Sequence, residues 1–317
     1  MWSKSKKYII GSGIIALACR KILGNDWNII PFGPSRFYTD KVSWGDNYIL
    51  YDNTVADLIA GWSLDKTPIL YKRPFSYGGR LIYNISFVDE YISRLGIDSD
   101  KILRPYFKTD FTVFNFSSTA LWKYLVTQNI DNIKSFYSQY KDVKGIDSIK
   151  DNRIIFKSEN SVIDLEYDQL ISTIPYNSFA DMTNLSNGEG IQCYYYIIKD
   201  DKIDIEKANQ VLICDSVIPF NKCTKLKNNI YMVEVYNDYY DKPYDVFSPV
   251  FGNSFEILET HTISDAIMKP FDINMEFVNN NNIVLIGSNA QCDPLMDISS
   301  CIKRIGNLLN KNQIMTS

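Results

Sequence analysis

The chain has 317 residues, with 33 Lys+Arg against 37 Asp+Glu and a formal net charge of -4 at pH 7, so a general nucleic-acid-coating surface is excluded, because neutralising phosphates takes a basic excess. Apolar residues at 45% and charged residues at 22% are the balance of a folded globular protein with about two domains' worth of chain. A single histidine, His261, excludes zinc sites with several His ligands and any His-paired nucleophile elsewhere, and six cysteines with no C-x-x-C pair read as reduced, mostly buried thiols of a cytoplasmic protein.

The opening MWSKSKKYIIGSGIIALACRK places three lysines before an apolar run from Tyr8 to Cys19. One reading is a secretory signal, with Cys19 inviting a lipoprotein cleavage site. The other is a strand at Tyr8 to Ile10, a turn at Gly11-Ser12-Gly13, and a helix with Ile15, Ala18, Cys19 and Ile22 at helical spacing, capped by Gly24. A second apolar strand, Trp27 to Phe32, follows. On that reading the pattern is G-x-G-x-x-A. Gly11 lets the chain turn, Gly13 lets backbone approach a pyrophosphate, Ala16 lets the helix pack closely, and the helix N-terminus offers unpaired N–H groups.

Such units usually end their second strand in an acid that holds a ribose. Here the strand runs into Phe32-Gly33-Pro34-Ser35-Arg36. Ser35 would bond a ribose hydroxyl and Arg36 would reach a phosphate or stack on adenine, and a plain surface turn is the alternative. In Tyr71 to Arg80, Arg73 and Arg80 would clamp a carboxylate or phosphate of a substrate, and Gly78-Gly79 would allow close approach to a planar ring. Solvated loop arginines are the rival reading. No other stretch has the run of about 18 apolar residues needed to span a membrane.

Residues 89 to 140 read as helical, with Tyr91, Leu95 and Ile97 in one segment and Leu121, Tyr124 and Leu125 in another, separated by an aromatic stretch around Tyr106 to Phe116. Arg153 to Phe156 and Val162 to Leu165 alternate like a hairpin, and a short buried strand ends at Pro175. Gln192 to Ile198, Gln210 to Cys214 and Ile230 to Tyr236 suggest an antiparallel sheet. Asn282 to Gly287 reads as a buried strand ending in glycine. A loop through Ser288 to Pro294 then leads to a helix that Asp297 or a neighbour caps, with Ile298, Cys301, Ile302, Ile305, Leu308 and Leu309 on one face.

Three segments in this order, GSGIIA, YDQLISTIP (Tyr167 to Pro175) and NNIVLIGSNAQCDPLMDISSCIKRI (Asn281 to Ile305), resemble the flavoprotein family of amine oxidases, protoporphyrinogen oxidase and UDP-galactopyranose mutase. The resemblance implies an α/β fold: a Rossmann-like, discontinuous FAD-binding domain from residues 1–88, 141–186 and 272–317. An inserted α+β substrate domain with an antiparallel sheet would come from 89–140 and 187–271. It implies that Gly11, Ser12, Gly13 and Ala16 face the FAD pyrophosphate, that Val143 and Thr173 join the cofactor site, and that Gly287, Ser288, Met296 and Asp297 face the flavin's pyrimidine edge. There the helix dipole would stabilise charge on a reduced flavin.

The chain departs from the family in lacking the ribose acid, in having Ser288 where an arginine often stands, and in lacking the mutases' His-bearing flavin loop. The activity implied is FAD-dependent oxidation of a C–N or C–C bond of a small polar substrate. The alternatives are a mutase-like sugar-nucleotide isomerase and a non-enzymatic nucleotide-binding or exported protein.

Overall fold

The computed structural model describes residues 4–32, 48–95, 108–158, 162–201, 205, 208–227, 229–236, 243–251, 254–269, 271–293 and 296–315, with side chains left aside at 246, 249–251 and 311–315. The chain opens with β1 (Lys7–Ile10), α1 (Ile14–Leu23) and β2 (Trp27–Ile30). Tyr8, Ile9, Ile10 and all four residues of β2 are buried. Helix α1 sinks Ala16 to Arg20 and stops at Gly24, whose φ of 99° lets its N–H reach Arg20 O at 3.0 Å. Helix α2 (Asn53–Leu58), strands β3 (Pro68–Lys72), β4 (Phe75–Tyr77) and β5 (Arg80–Ile82), α3 (Val88–Arg94), β6 (Asp110–Phe114) and the long α4 (Ser118–Gln139) follow.

A meander of β7 (Val143–Lys150), β8 (Arg153–Ser158) and β9 (Val162–Glu166) leads into β10 (Gln169–Ser172) and α5 (Tyr176–Thr183). Next come β11 (Gly190–Lys199), β12 (Gln210–Ile213), β13 (Lys222–Lys227), β14 (Ile230–Tyr236), α6 (Pro243–Phe251) and β15 (Glu256–Met268). The chain closes with α7 (Met275–Asn280), β16 (Ile283–Leu285) and α8 (Ile298–Met315).

Two sheets organise these elements. A parallel sheet runs β16-β10-β1-β2, and a seven-stranded, largely antiparallel sheet runs β15-β11-β14-β13-β12-β4-β5. The parallel sheet is covered on both faces, as buried parallel strands require. Leu17, Leu121, Ile133, Ile302 and Ile305 of α1, α4 and α8 pack with Ile9, Ile29 and Ile171 in one core. Phe156 of the meander and Tyr176 and Phe179 of α5 pack with Ile10, Leu170 and Leu285 in the other. Each such fully buried aliphatic or aromatic side chain contributes about 1.5–3 kcal/mol of transfer free energy.

The sequence groups residues 89–140 with the substrate domain. Helix α4, inside that range, packs against α1 and β2. Ser117 caps it through Ala120 N at 3.1 Å. Asn132 Oδ1 accepts from Ile29 N at 2.8 Å, satisfying a donor of edge strand β2 that would otherwise be buried unpaired. Strands β4 and β5, from within 1–88, join the antiparallel sheet instead, β4 pairing in parallel with β12. A core cluster packs on each face of that sheet, one including Tyr91 and Ile92 of α3 and the other Phe247 of α6, while β15 leaves alternate residues exposed.

Candidate cofactor site

In a parallel sheet the place for a ligand is the crevice beyond the carboxyl ends of the strands, where the chain order reverses direction. Here the reversal lies between β1 and β10. From β1 the chain crosses to β2 on one side, and β10 and β16 are added on the other. Register aligns Ile10 with Ser172 and Ser172 with Leu285, so the bends after β1 and β16 leave the same edge of the sheet. They stand two strand spacings, about 10 Å, apart. Thr173 lies between them, its N and Oγ1 both donating to Ile10 O, at 3.0 and 3.1 Å.

The two glycines of the first bend differ in what requires them. Gly11 has φ 138°, and a Cβ there would come within 2.1 Å of Thr173 Oγ1 and 3.3 Å of Ala16 Cβ. The protein itself therefore demands glycine, and a small residue at Ala16. Gly13 is extended (φ -81°, ψ 179°) and a Cβ on it would meet nothing within 4 Å. No contact in the chain explains glycine there, and the space in front of it is what a pyrophosphate lying on backbone would fill. Helix α1 begins at this point with no side-chain cap and no acid in its first turn, so its first N–H groups and positive dipole end face that space. Ser12 turns its hydroxyl away, donating to Phe32 O at 2.8 Å.

The second bend starts at Gly287, φ 127°, after Ile286 N has bonded Ser172 O at 3.0 Å. Ser288 O then accepts from Asp293 N at 2.9 Å, and Met296 N donates to Asp293 O at 3.1 Å. Asp297 caps α8, its Oδ1 accepting from Ser300 N at 2.6 Å. That carboxylate already neutralises part of the helix end, so α8 offers less positive potential to a ligand than α1 does. Cys292, also in this loop, is a buried thiol pushed up to about 11 by burial, with Asp265 adding to the shift. It stays protonated at neutral pH and is no nucleophile.

Sequence reasoning missed the junction that ties this loop to the antiparallel sheet. Asn289 Nδ2 donates to Asp265 O at 2.7 Å and Ala266 O at 3.2 Å, and Asn289 O accepts from Tyr176 N at 2.9 Å. Asn177 Nδ2 donates to Asp265 Oδ1 at 3.2 Å, and Asn177 Oδ1 accepts from Gly188 N at 2.8 Å. The end of β15, the start of α5 and the glycine loop are thereby fixed to one another. A Cβ at Gly190 would meet Asp265 Oδ1 at 2.1 Å, the one sequence-level trace of this packing.

The arginines expected to clamp a substrate lie in unlike places. Arg73 is buried, with Nη1 donating to Tyr48 Oη at 2.8 Å, Nε reaching Lys108 O at 3.4 Å, and its guanidinium 4.8 Å from the centre of the Phe111 ring. It is engaged within an aromatic box that includes Tyr71 and does not project from a loop. Arg80 is exposed, at the hairpin between β4 and β5. Gly78 and Gly79, at φ 57° and 73°, form its two-residue turn, which needs positive φ at both positions. Val143 is half-buried at the start of β7, in the core of the meander. Ser35 and Arg36 lie outside the described residues.

All six cysteines are buried free thiols. Among the described residues no group of three or more His, Cys, Asp or Glu side chains is placed to hold a metal, and no helix is long and apolar enough to cross a membrane.

No family model and no curated protein matches the sequence. Solved structures do resemble the fold. A reduced UDP-galactopyranose mutase superposes with a TM-score of 0.64 at 12% identity, over 97% of this chain and 96% of its own. A candidate protoporphyrinogen oxidase from an Exiguobacterium species gives 0.55 at 12% identity over 99% and 100%. A glycine oxidase from Bacillus cereus gives 0.52 at 10% identity over 98% and 96%. The chain therefore shares the overall fold of these solved structures. At these identities the likeness carries the architecture alone.

Proposed function

We propose that the chain is an FAD-dependent oxidoreductase that takes a hydride from a C–N or C–C bond of a small polar substrate. The observation that carries this reading is the pair of glycine bends at one carboxyl edge, with the open space at Gly13 facing the uncapped start of α1. Gly11, Ser12, Gly13 and Ala16 would form the pyrophosphate end of the site, with Ser35 and Arg36 toward the adenosine. Thr173 and Val143 would line its middle. Gly287, Ser288, Met296 and Asp297 would lie toward the flavin's pyrimidine edge.

The FAD domain would comprise residues 1–88, 141–186 and 272–317 without β4 and β5, joined by α4 through its packing, and the antiparallel sheet, β4 and β5 included, would carry the substrate. When bound, the flavin supplies the hydride acceptor. The chain's own residues hold it, exclude water and orient the substrate. Arg80 is the free one of the two candidate arginines. Arg73 would act through the aromatic box it stabilises.

The extent of the superposition on a reduced mutase favours a second reading, a flavin-dependent sugar-nucleotide isomerase. Anaerobic incubation of the purified FAD-loaded chain with primary amines and amino acids tests the two. Loss of the flavin's visible absorbance supports oxidation. No bleaching, together with turnover of a nucleotide sugar only after prior reduction, supports the isomerase.

A further inference from the structure

Across one face of the antiparallel sheet, strand register sets four titratable side chains side by side. Lys222 on β13 stands opposite Glu234 on β14, Glu234 opposite Tyr195 on β11, and Tyr195 opposite His261 on β15. Residues directly opposite in an antiparallel pair share a face, with Cβ atoms about 5 Å apart. The row therefore runs from the sheet's interior to β15, which is its edge strand.

Its inner end is tightly held. Lys222 Nζ lies 2.8 Å from Glu234 Oε1, with the two side chains 10% and 1% exposed, and the Tyr236 hydroxyl donates to Glu234 Oε2 at 2.7 Å. Tyr195 is buried beside Cys193, and His261, the chain's one imidazole, is half-buried at the outer end.

A buried ion pair is a poor way to stabilise a sheet, because dehydrating two charges offsets their attraction and apolar residues of similar volume do as well. Titratable groups at adjacent positions, leading from a buried carboxylate to a half-buried imidazole, instead make a path for a proton. Strand β15 then runs from His261 to Asp265, about 13 Å on, where it meets the Asn289 junction with the glycine loop.

We propose that Lys222, Glu234, Tyr195 and His261 form the proton-transfer row of this sheet, with His261 passing the proton to solvent. The inference rests on the flavin reading for its electron acceptor. In oxidation of an H–C–X–H group, X being N or C, the C–H bond gives up its electron pair as hydride to oxidised FAD, the X–H bond gives up a proton, and C=X forms. The Tyr195 hydroxyl oxygen takes that proton while passing its own to neutral His261, whose imidazolium then releases it to water. The Glu234 side chain, 2.8 Å from the Lys222 ammonium and accepting from the Tyr236 hydroxyl, favours the positive charge in transit. Other titratable or charged groups on this face are Glu259 of β15, Asp265 further along that strand, Cys193 of β11, Tyr236 of β14, and Tyr91 of α3, the helix that packs on the face and also carries Asp89, Glu90 and Arg94.

Because the chain has one histidine, imidazole NMR signals report on His261 alone. Titration of the ligand-free full chain tests the row. Glu234→Gln is expected to lower the His261 midpoint by about half a pH unit or more, since it removes a negative charge two strands away in a low-dielectric setting. Tyr195→Phe is expected to move it by about 0.3 or more by removing a neighbouring hydroxyl. Midpoints within about 0.1 of the parent in the folded variants would overturn the proposal. Tyr195→Phe, which loses one hydroxyl, decides alone if Glu234→Gln does not fold. The measurement needs no cofactor. An uncoupled His261 in a chain that binds FAD removes the row and leaves the flavin reading. A coupled His261 in a chain that binds no flavin removes the flavin reading and, with it, the hydride step.

Discussion

Gly11 and Gly13 are separated by one residue, yet the chain constrains them differently, and that difference separates folding from binding. Gly11→Ala drives a methyl into Thr173 Oγ1 at 2.1 Å and forces φ 138° on an L-residue, so thermal melting of the ligand-free variant is expected to reveal a loss of about 3 kcal/mol. Gly13→Ala meets nothing and sits at an ordinary φ of -81°. Its stability is expected to stay within about 0.5 kcal/mol of the parent, while FAD affinity falls at least tenfold. Equal effects of the two substitutions on folding would show that Gly13 is needed by the fold itself. The spacing of these glycines was legible in the sequence, and so was the cap at Asp297, because turns and caps are local. Arg73 was not: its partners Tyr48, Lys108 and Phe111 come from elsewhere in the chain, and nothing around Arg73 itself names them.

At the scale of elements, local pattern located β1, α1, β10, β11, β14 and α8, and failed where burial depends on a distant partner. Strand β13 reads KCTKLK and escaped notice because its buried lysine is accommodated by Glu234 from the next strand. Strand β15 escaped because its inward positions 259, 261 and 265 are polar. Asp52 shows how such distant partners fix helices: it caps α2 through Val55 N at 3.2 Å and holds Lys303 of α8 at 3.0 Å.

The hydrogen bond from Lys303 leads the causes that hold the Asp52 carboxyl below its ordinary 3.8. A depressed carboxyl stabilises the fold above its unfolded pKa, and the contribution is lost as pH falls through the folded value. Asn keeps the cap but loses the ion pair, so Asp52→Asn is expected to be less stable than the parent at neutral pH by about 0.5 kcal/mol, with the gap closing in acid below that value. A gap that persists unchanged in acid would contradict the assignment. Asn289→Ala removes both bonds to β15, and about 1–3 kcal/mol of stability should go with them. The loss should be read by hydrogen exchange at the junction of β15 with the 287–293 loop, and protection unchanged there would mean that the junction is held by other contacts.

On the scale of the whole molecule, two sheets divide the work. The parallel sheet brings bends 276 residues apart in sequence, at Gly11 and Gly287, to one edge, and the antiparallel sheet is fastened to that edge through Asp265, Asn177 and Asn289. Solved structures of this architecture include a mutase and oxidases, so the fold alone does not name the reaction. On the proposed reading the substrate would face the antiparallel sheet, where register, and no local motif, decides which side chains meet, so it was not legible in the sequence.

The most direct test of the central claim, that both glycine bends hold one flavin dinucleotide, is a titration of the ligand-free chain with FAD, followed by quenching of flavin fluorescence. The account predicts saturation at one equivalent, with at least tenfold weaker binding to Gly13→Ala at unchanged melting temperature. No saturable binding to the folded parent chain, or equal binding to Gly13→Ala, would contradict it.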